Sequence, residues 1–419
     1  MLGYFDSLRT LLTLFEPTCP ANEQVKFLRQ LSREQLDALA LESQKQDVAA
    51  LFYSMLVELE LANELDFSLK ENLKQHYLFT ATRNTLFLHE AEQLLSSLKA
   101  AGIPAAGLKG IYLLENLYSN IAARPMNDID VLVRKKDLGD CLSITEKLGY
   151  ASSSYFRLSD KNIDTKHVPP IRKKSGAMVE LHWTLLEEDE PFTIDFDALW
   201  GRMLPANIAK VETLTLGVED LILHLCLHLT YQHYFNLGLR GLMDIALFIH
   251  KINQQIDWTR LTETAHAWGS ERVTALTLSL VDTLLNIPIP AKVFTDLLPE
   301  GLEPSLLEQA CFQLLDREKS EARLTPDLVK MNADQKLISK IRIGLQRIFI
   351  PRLALARIYG VNPKSPRIVW FYWVRLKYLV KVYGGTMRKL QSLKTSSQPA
   401  LRKAENSYAL HDWMSRKGG

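Results

Sequence analysis

The chain has 419 residues, 47% of them hydrophobic and 23% charged, a composition that supplies two or three packed domains of an ordinary soluble globular protein. Its four cysteines, Cys19, Cys141, Cys226 and Cys311, are far apart with no C-x-x-C pair. That spacing excludes a cysteine zinc site or a disulfide framework and fits a reducing, cytoplasmic setting. The net charge of +2 hides an asymmetry: from Lys336 onward 18 Lys/Arg stand against Glu405 and Asp412, while the remainder carries 32 basic and 46 acidic residues. Such a basic end meets something anionic, which is a nucleic acid, a membrane surface or the acidic body of the same chain.

In chain order, the first ~100 residues read as helical, with Phe27, Leu28 and Leu31, then Leu36, Leu39 and Ala40, at the spacings of one helix face. A long Leu-, Ala-, Glu- and Lys-rich pattern from about Glu71 to Ala100 stops at Gly102 and Pro104. Short apolar runs then alternate with short helical patterns: strands over Ile103–Leu108, Asp128–Val133, Tyr150–Leu158 and Ala177–Trp183, and helices over Gly110–Tyr118 and Lys136–Leu148. From Gly217 the chain is helical again, over Val218–Tyr231, Arg240–Ile252, Thr259–Trp268 and Glu271–Leu285. The longest uncharged apolar stretch, Leu221–Leu239, holds His224, His228, Gln232, His233 and Asn236, so it reads as a soluble helix and no transmembrane segment is expected. The residues from Thr395 onward are polar and basic and are expected to be loose.

The chemistry concentrates in three places. In a strand over Asp128–Val133, side chains alternate, so Asp128 and Asp130 share one face and Ile129, Val131 and Val133 the other. Two carboxylates so placed repel each other unless a cation lies between them, and a hard divalent ion, most simply Mg²⁺, relieves that repulsion. In Ala177–Trp183, Glu180 and His182 share the face opposite Val179 and Leu181. Beside the aspartate strand, Glu180 would complete a three-carboxylate cluster of the kind two-metal phosphoryl or nucleotidyl transfer needs. Lys109-Gly110 lies between a predicted strand and helix, where glycine admits a phosphate to the backbone and the helix N-terminus faces it, with Lys109 and Arg124 as further phosphate contacts.

On these residues, Leu108-Lys109-Gly110, Arg124 and Asp128-Ile-Asp-Val-Leu-Val133, the sequence resembles the uncharacterised nucleotidyltransferase family of bacterial proteins, a branch of the polymerase-β nucleotidyltransferase superfamily. The later segments Val179–Trp183, Glu219–His228 and Leu239–Ala246 resemble it too, so the likeness spans roughly residues 80–270. The order of elements predicts an α+β fold, a small mixed β-sheet core (residues 101–215) flanked by N-terminal helices (1–100), a larger helical region (216–335) and a basic helical C-terminal region with a loose tail (336–419), and the resemblance implies that the core is a nucleotidyltransferase core. It implies Asp128, Asp130 and Glu180 as metal and catalytic carboxylates, with Lys109-Gly110 at the phosphate-holding turn. The hydroxyl of the usual Ser is absent there, and the spacing from Gly110 to Asp128 is longer than in many members. The implied activity is Mg²⁺-dependent transfer of a nucleotidyl group from an NTP to a hydroxyl of an unidentified acceptor, whether small molecule, peptide, protein or RNA. Glu180 serves as base or as ligand of the acceptor-side metal, Arg124 neutralises the leaving group and His182 orients the acceptor. Two rival functions are a nucleotide-binding adaptor with little or no catalysis, and an enzyme directed to nucleic acid by its basic C-terminal region.

Three further features carry weaker signals. His224 and His228, at i and i+4 with Asp220 one turn earlier, read first as packing or hydrogen-bonding residues and second as metal or substrate contacts. Asp244 follows Arg240 at i+4, which predicts an intrahelical ion pair. The aromatic run Ile368–Val374 with Arg375, Lys377 and Lys381 reads as a buried bundle helix with cationic ends, or else as a helix on a membrane interface or a nucleobase-stacking surface.

Overall fold

A computed structural model of the chain describes residues 2–152, 166–187, 190–316, 348–359, 361–362, 364–379 and 398–416. The centre is a mixed sheet of seven strands: β1 (Ala105–Gly107), β2 (Ile129–Val133), β3 (Ala151–Ser152), β4 (Ile171–Arg172), β5 (Met178–His182), β6 (Leu204–Ile208) and β7 (Val211–Thr215). Their spatial order is β3-β4-β5-β2-β1-β7-β6, with β2 parallel to β5 and antiparallel to β1. The expected strand from Tyr150 is present as β3, and its continuation to Leu158 lies outside the described residues.

Before the sheet come α1 (Leu2–Leu14), α2 (Ala21–Gln30), α3 (Arg33–Lys45), α4 (Ala49–Glu58) and the 34-residue α5 (Phe67–Ala100). Ser32 and Gln35 form a capping box at the start of α3, and Asp66 caps α5 by accepting from the Ser68 amide. Helix α5 ends where Gly102 turns at φ 69°, a left-handed conformation that glycine adopts without strain. Within the sheet region lie α6 (Lys109–Leu117), α7 (Leu138–Lys147) and α8 (Phe196–Gly201).

Period-two alternation divides the central strands between two cores. Ile129, Val131 and Val133 of β2 and Val179 and Leu181 of β5 pack against Phe87, Ala91, Leu94 and Leu98 of α5. On the opposite face, Ala106 and Leu132 join a larger core built from both the N-terminal helices and the helices after Thr215. Those later helices are α9 (Val218–Cys226), continued by a π-helical turn over Leu227–Gln232, then α10 (Gly238–Ile252), α11 (Trp258–Trp268), α12 (Glu271–Leu285), α13 (Ala291–Leu297) and α14 (Pro304–Leu315). Asp130, Glu180 and His182 thus point toward the α9–α10 side, where a polar cleft interrupts the core.

Two expectations for the C-terminal part are corrected. Gln398–Ser415, expected to be loose, is a helix that buries Leu410 and Met414 against the main core and stacks His411 on Tyr231 with ring centroids 4.2 Å apart. The aromatic helix over residues 368–379, read as buried, leaves Trp370 and Trp373 62% and 60% exposed. Among the described residues no helix is long and apolar enough to cross a membrane, and all four cysteines are free.

Candidate active site

The site is assembled by the strand–turn–helix unit β1–α6, the start of β2 and the end of β5. Leu108 leaves β1 extended, with its amide donating to the Asp130 carbonyl at 3.0 Å, and Lys109 opens α6 at φ 44°. A left-handed, non-glycine residue at such a turn is strained and needs the surroundings to hold it. Here the Lys109 ammonium is held by donating to Asp130 Oδ1 at 3.0 Å, with both side chains buried. Burial opposes its charge, but Asp130, Asp128 and Glu180 together push the lysine pKa above its ordinary value.

Asp130 and Glu180 are register partners on the parallel pair β2–β5, and Leu132 pairs with His182 one step further along each face. His182 Nε2 lies 2.8 Å from Asp130 Oδ1 and 3.6 Å from Glu180 Oε2. Asp130 is 3% exposed, and Lys109 and His182 overcome the penalty of burial to hold its carboxyl far below the usual range. It therefore accepts from His182 Nε2–H, and His182 orients Asp130 from behind as a metal ligand's hydrogen-bonding partner does. Potential ligand atoms of Asp130, Glu180 and His182 all lie within 4.8 Å of one another.

Asp128 lines the same cleft just before β2 but stands outside that tight group. Burial first, then the charges of Asp130 and Glu180, push its carboxyl up to about 7. The surplus of negative charge is what a divalent cation neutralises. A second observation points the same way. His167, absent from the sequence reading, has its Nδ1 2.7 Å from the Val168 carbonyl, which makes Nδ1 the protonated nitrogen, and burial holds its pKa below the ordinary imidazole value. Its Nε2 lone pair then faces Glu180 Oε2 at 3.6 Å, two acceptors on the lining of the same cleft. The residues present fit a hard metal ion.

Arg124 is placed differently from the expectation of a free phosphate contact. Its guanidinium donates twice to Asp244 of α10, at 2.8 and 2.7 Å, and Tyr118 adds a third bond to Asp244 at 2.8 Å. Burial opposes the Arg124 charge, but Asp244 raises its pKa further. Arg124 Nη1 remains beside the Lys109-Gly110 turn, so close that a Cβ on Gly110 would sit 2.9 Å from it. The predicted Arg240–Asp244 pair is accordingly overturned. Arg240 instead contacts Asp47 at 3.2 Å and donates to the Pro125 carbonyl at 3.0 Å, because the buried Arg124 fork claims both Asp244 oxygens.

These groups line a cleft of about 310 Å³, with Lys166, Gln232 and His233 along its rim. Lys166 donates to Gln232 at 2.8 Å, and burial followed by repulsion from Lys109 lowers its pKa. His224 is fully packed with no hydrogen-bond partner for either ring nitrogen, and His228, stacked on it at 5.9 Å, reaches the cleft. Burial, reinforced by Lys109, keeps both well below the ordinary imidazole pKa, in accord with the packing role expected first. On the far side of the Pro125–Asn127 wall a second cleft of about 240 Å³ opens between α3, α4 and α5.

The sheet thus sets carboxylates side by side next to a lysine-bearing strand–helix turn. A family model described as an uncharacterised nucleotidyltransferase matches residues 32–286, more than half the chain and the whole sheet. The chain belongs to this nucleotidyltransferase family. No curated protein and no solved structure matches it.

Proposed function

We propose that the chain is a Mg²⁺-dependent nucleotidyltransferase of the polymerase-β type that moves an NMP from an NTP to a hydroxyl of an acceptor. The observation that carries this reading is the in-register pairing of Asp130 and Glu180 on adjacent parallel strands, with Asp128 at the strand entry. Asp128, Asp130 and Glu180 would hold the metal; bound there, it supplies neutralisation of the phosphates and activation of the acceptor oxygen. The Lys109-Gly110 turn and the N-terminus of α6 receive the phosphates, with Arg124 Nη1 facing the same turn. Asp244 fixes the Arg124 fork, so the cationic edge is preorganised for charge developing on the leaving group. The acceptor oxygen attacks the α-phosphorus, its proton passes to a carboxylate of the cluster, and pyrophosphate leaves.

The test is incubation with α-labelled NTPs, Mg²⁺ and candidate acceptors, beside Asp128→Asn and Asp130→Asn proteins. Label transfer with stoichiometric pyrophosphate by wild type alone supports the reading. A second reading, a nucleotide-binding module with little turnover, is favoured by one contact: the Lys109 ammonium already sits on Asp130 Oδ1. Mg²⁺-dependent NTP binding without label transfer to any acceptor would select it.

A further inference from the structure

From Lys336 to Ala404 the sequence holds 16 Lys or Arg and no Asp or Glu. Within this stretch, the helix Arg352–Tyr359 and the helix over residues 368–379 make a small core of their own from Leu355, Ala356 and Ile368, with Phe371 and Tyr372 packed against it. Tyr372 also donates to the Ile350 carbonyl at 2.8 Å, so the inward face of the second helix is satisfied. Its outward face is apolar. Val369, Trp370 and Trp373 are each about 60% exposed, and Phe349, just before the first helix, is 60% exposed. Residues 369, 370, 373 and 377 stand at i, i+1, i+4 and i+8, so exposed Lys377 lies on the same stripe, while Lys364 and Arg367 flank its start.

Two tryptophans and a valine turned to solvent on one helix face are costly for a face that stays in water. Tryptophan with flanking Lys and Arg is the composition that settles at the boundary of headgroup and acyl chain, and an acid-free basic frame is attracted to anionic lipid. A nucleic acid would use the cations and the aromatic rings but would leave Val369 without a counterpart. We infer that the face formed by Val369, Trp370, Trp373 and Lys377, framed by Lys364 and Arg367, docks this chain peripherally on an anionic lipid bilayer. It lies in the interface plane without spanning, and the inference stands independently of the chemistry assigned to the cleft.

The test is co-sedimentation of the full chain with vesicles of phosphatidylcholine alone and of equimolar phosphatidylcholine and phosphatidylglycerol, at low and raised salt. Wild type is expected to pellet with the anionic vesicles, less so at raised salt, and not with the neutral ones. W370S/W373S, at two exposed positions that do not line the cleft, is expected to bind the anionic vesicles roughly tenfold more weakly with unchanged thermal stability. Arg367→Glu/Lys377→Glu provides an independent variant and is expected to lose affinity to a similar degree. Absence of wild-type pelleting, or pelleting of both variants to the same extent as wild type, overturns the inference. So does binding of a single-stranded RNA oligonucleotide that W370S/W373S loses while vesicle binding is absent.

Discussion

Asp130 and Glu180 face each other in register across two parallel strands, and His182, one pleat beyond Glu180, closes on Asp130 at 2.8 Å. The protein keeps Asp128, Asp130 and Glu180 around one cleft and holds Asp130 ionised inside the fold with a lysine and a histidine. The structural role of Asp130 and the chemical role proposed for it separate experimentally.

Asp130→Asn leaves the Lys109 ammonium buried without its carboxylate. Removing one member of a buried ion pair costs about 3–5 kcal/mol, and a fall of that size is expected in urea denaturation of the metal-free protein. A denaturation midpoint equal to that of wild type would show that the Lys109–Asp130 contact contributes nothing to the fold.

Gly110→Ala places a Cβ 2.9 Å from Arg124 Nη1 and 3.3 Å from Met126 Cγ. Arg124 is tied to Asp244 by two bonds and cannot swing away without breaking them. A loss of about 1–3 kcal/mol of stability is expected from overpacking, together with weaker NTP binding. Calorimetry of the folded variant at ordinary temperature separates the two effects, and wild-type affinity would argue against phosphate placement at this turn.

Glu90 of α5 anchors the β4–β5 turn by accepting from Lys173 at 2.8 Å, Ser175 at 3.2 Å and Tyr150 at 3.1 Å. Although burial opposes ionisation, these partners hold its pKa below the ordinary 4.5. Because the folded value is the lower one, its contribution is complete above about pH 4.5 and is lost as the pH falls through the folded value. Glu90→Gln is expected to cost about 1–3 kcal/mol at neutral pH. The gap between variant and wild type should close in acid, as read by denaturation across a pH series.

His233 behaves in the opposite sense to a paired histidine. Burial, then repulsion from Lys109 and Lys166, lowers its pKa from 6.5 to about 4. As the pH falls from 6.5 to about 4, the unfolded chain takes up the proton first and stability is lost across that window. His233→Gln is expected to flatten this part of the stability profile, and a slope identical to wild type would show that His233 is not held neutral by the fold.

The sequence made the carboxylate geometry legible because Asp130 and Glu180 each sit in a strand whose other face is uniformly apolar. Val131 and Val179 must enter the core beneath the sheet, which fixes Asp130 and Glu180 on the face above it. The strands β4, β6 and β7 were missed for the converse reason: β4 is two residues long, β6 exposes Leu204 and Pro205 at the sheet edge and β7 reads Val-Glu-Thr-Leu-Thr, so none shows an apolar run. Arg124 and Asp244 lie 120 residues apart, and no local spacing announces a partner at that distance; the i+4 rule pointed to Arg240 instead. His167 and Lys166 enter the cleft through tertiary placement alone, the first by a single bridge to His182. The aromatic run at 368–374 reads as core by hydropathy, yet the small size of the cluster it joins leaves its tryptophans outside.

The measurement that bears most directly on the central claim is calorimetric titration of each NTP into wild type, Asp128→Asn and Glu180→Gln, with and without Mg²⁺. Binding that requires Mg²⁺ in wild type, and that falls at least roughly tenfold in both variants while they stay folded, is the predicted result. NTP binding that is indifferent to Mg²⁺, or equal in all three proteins, would contradict a metal site shared by these carboxylates.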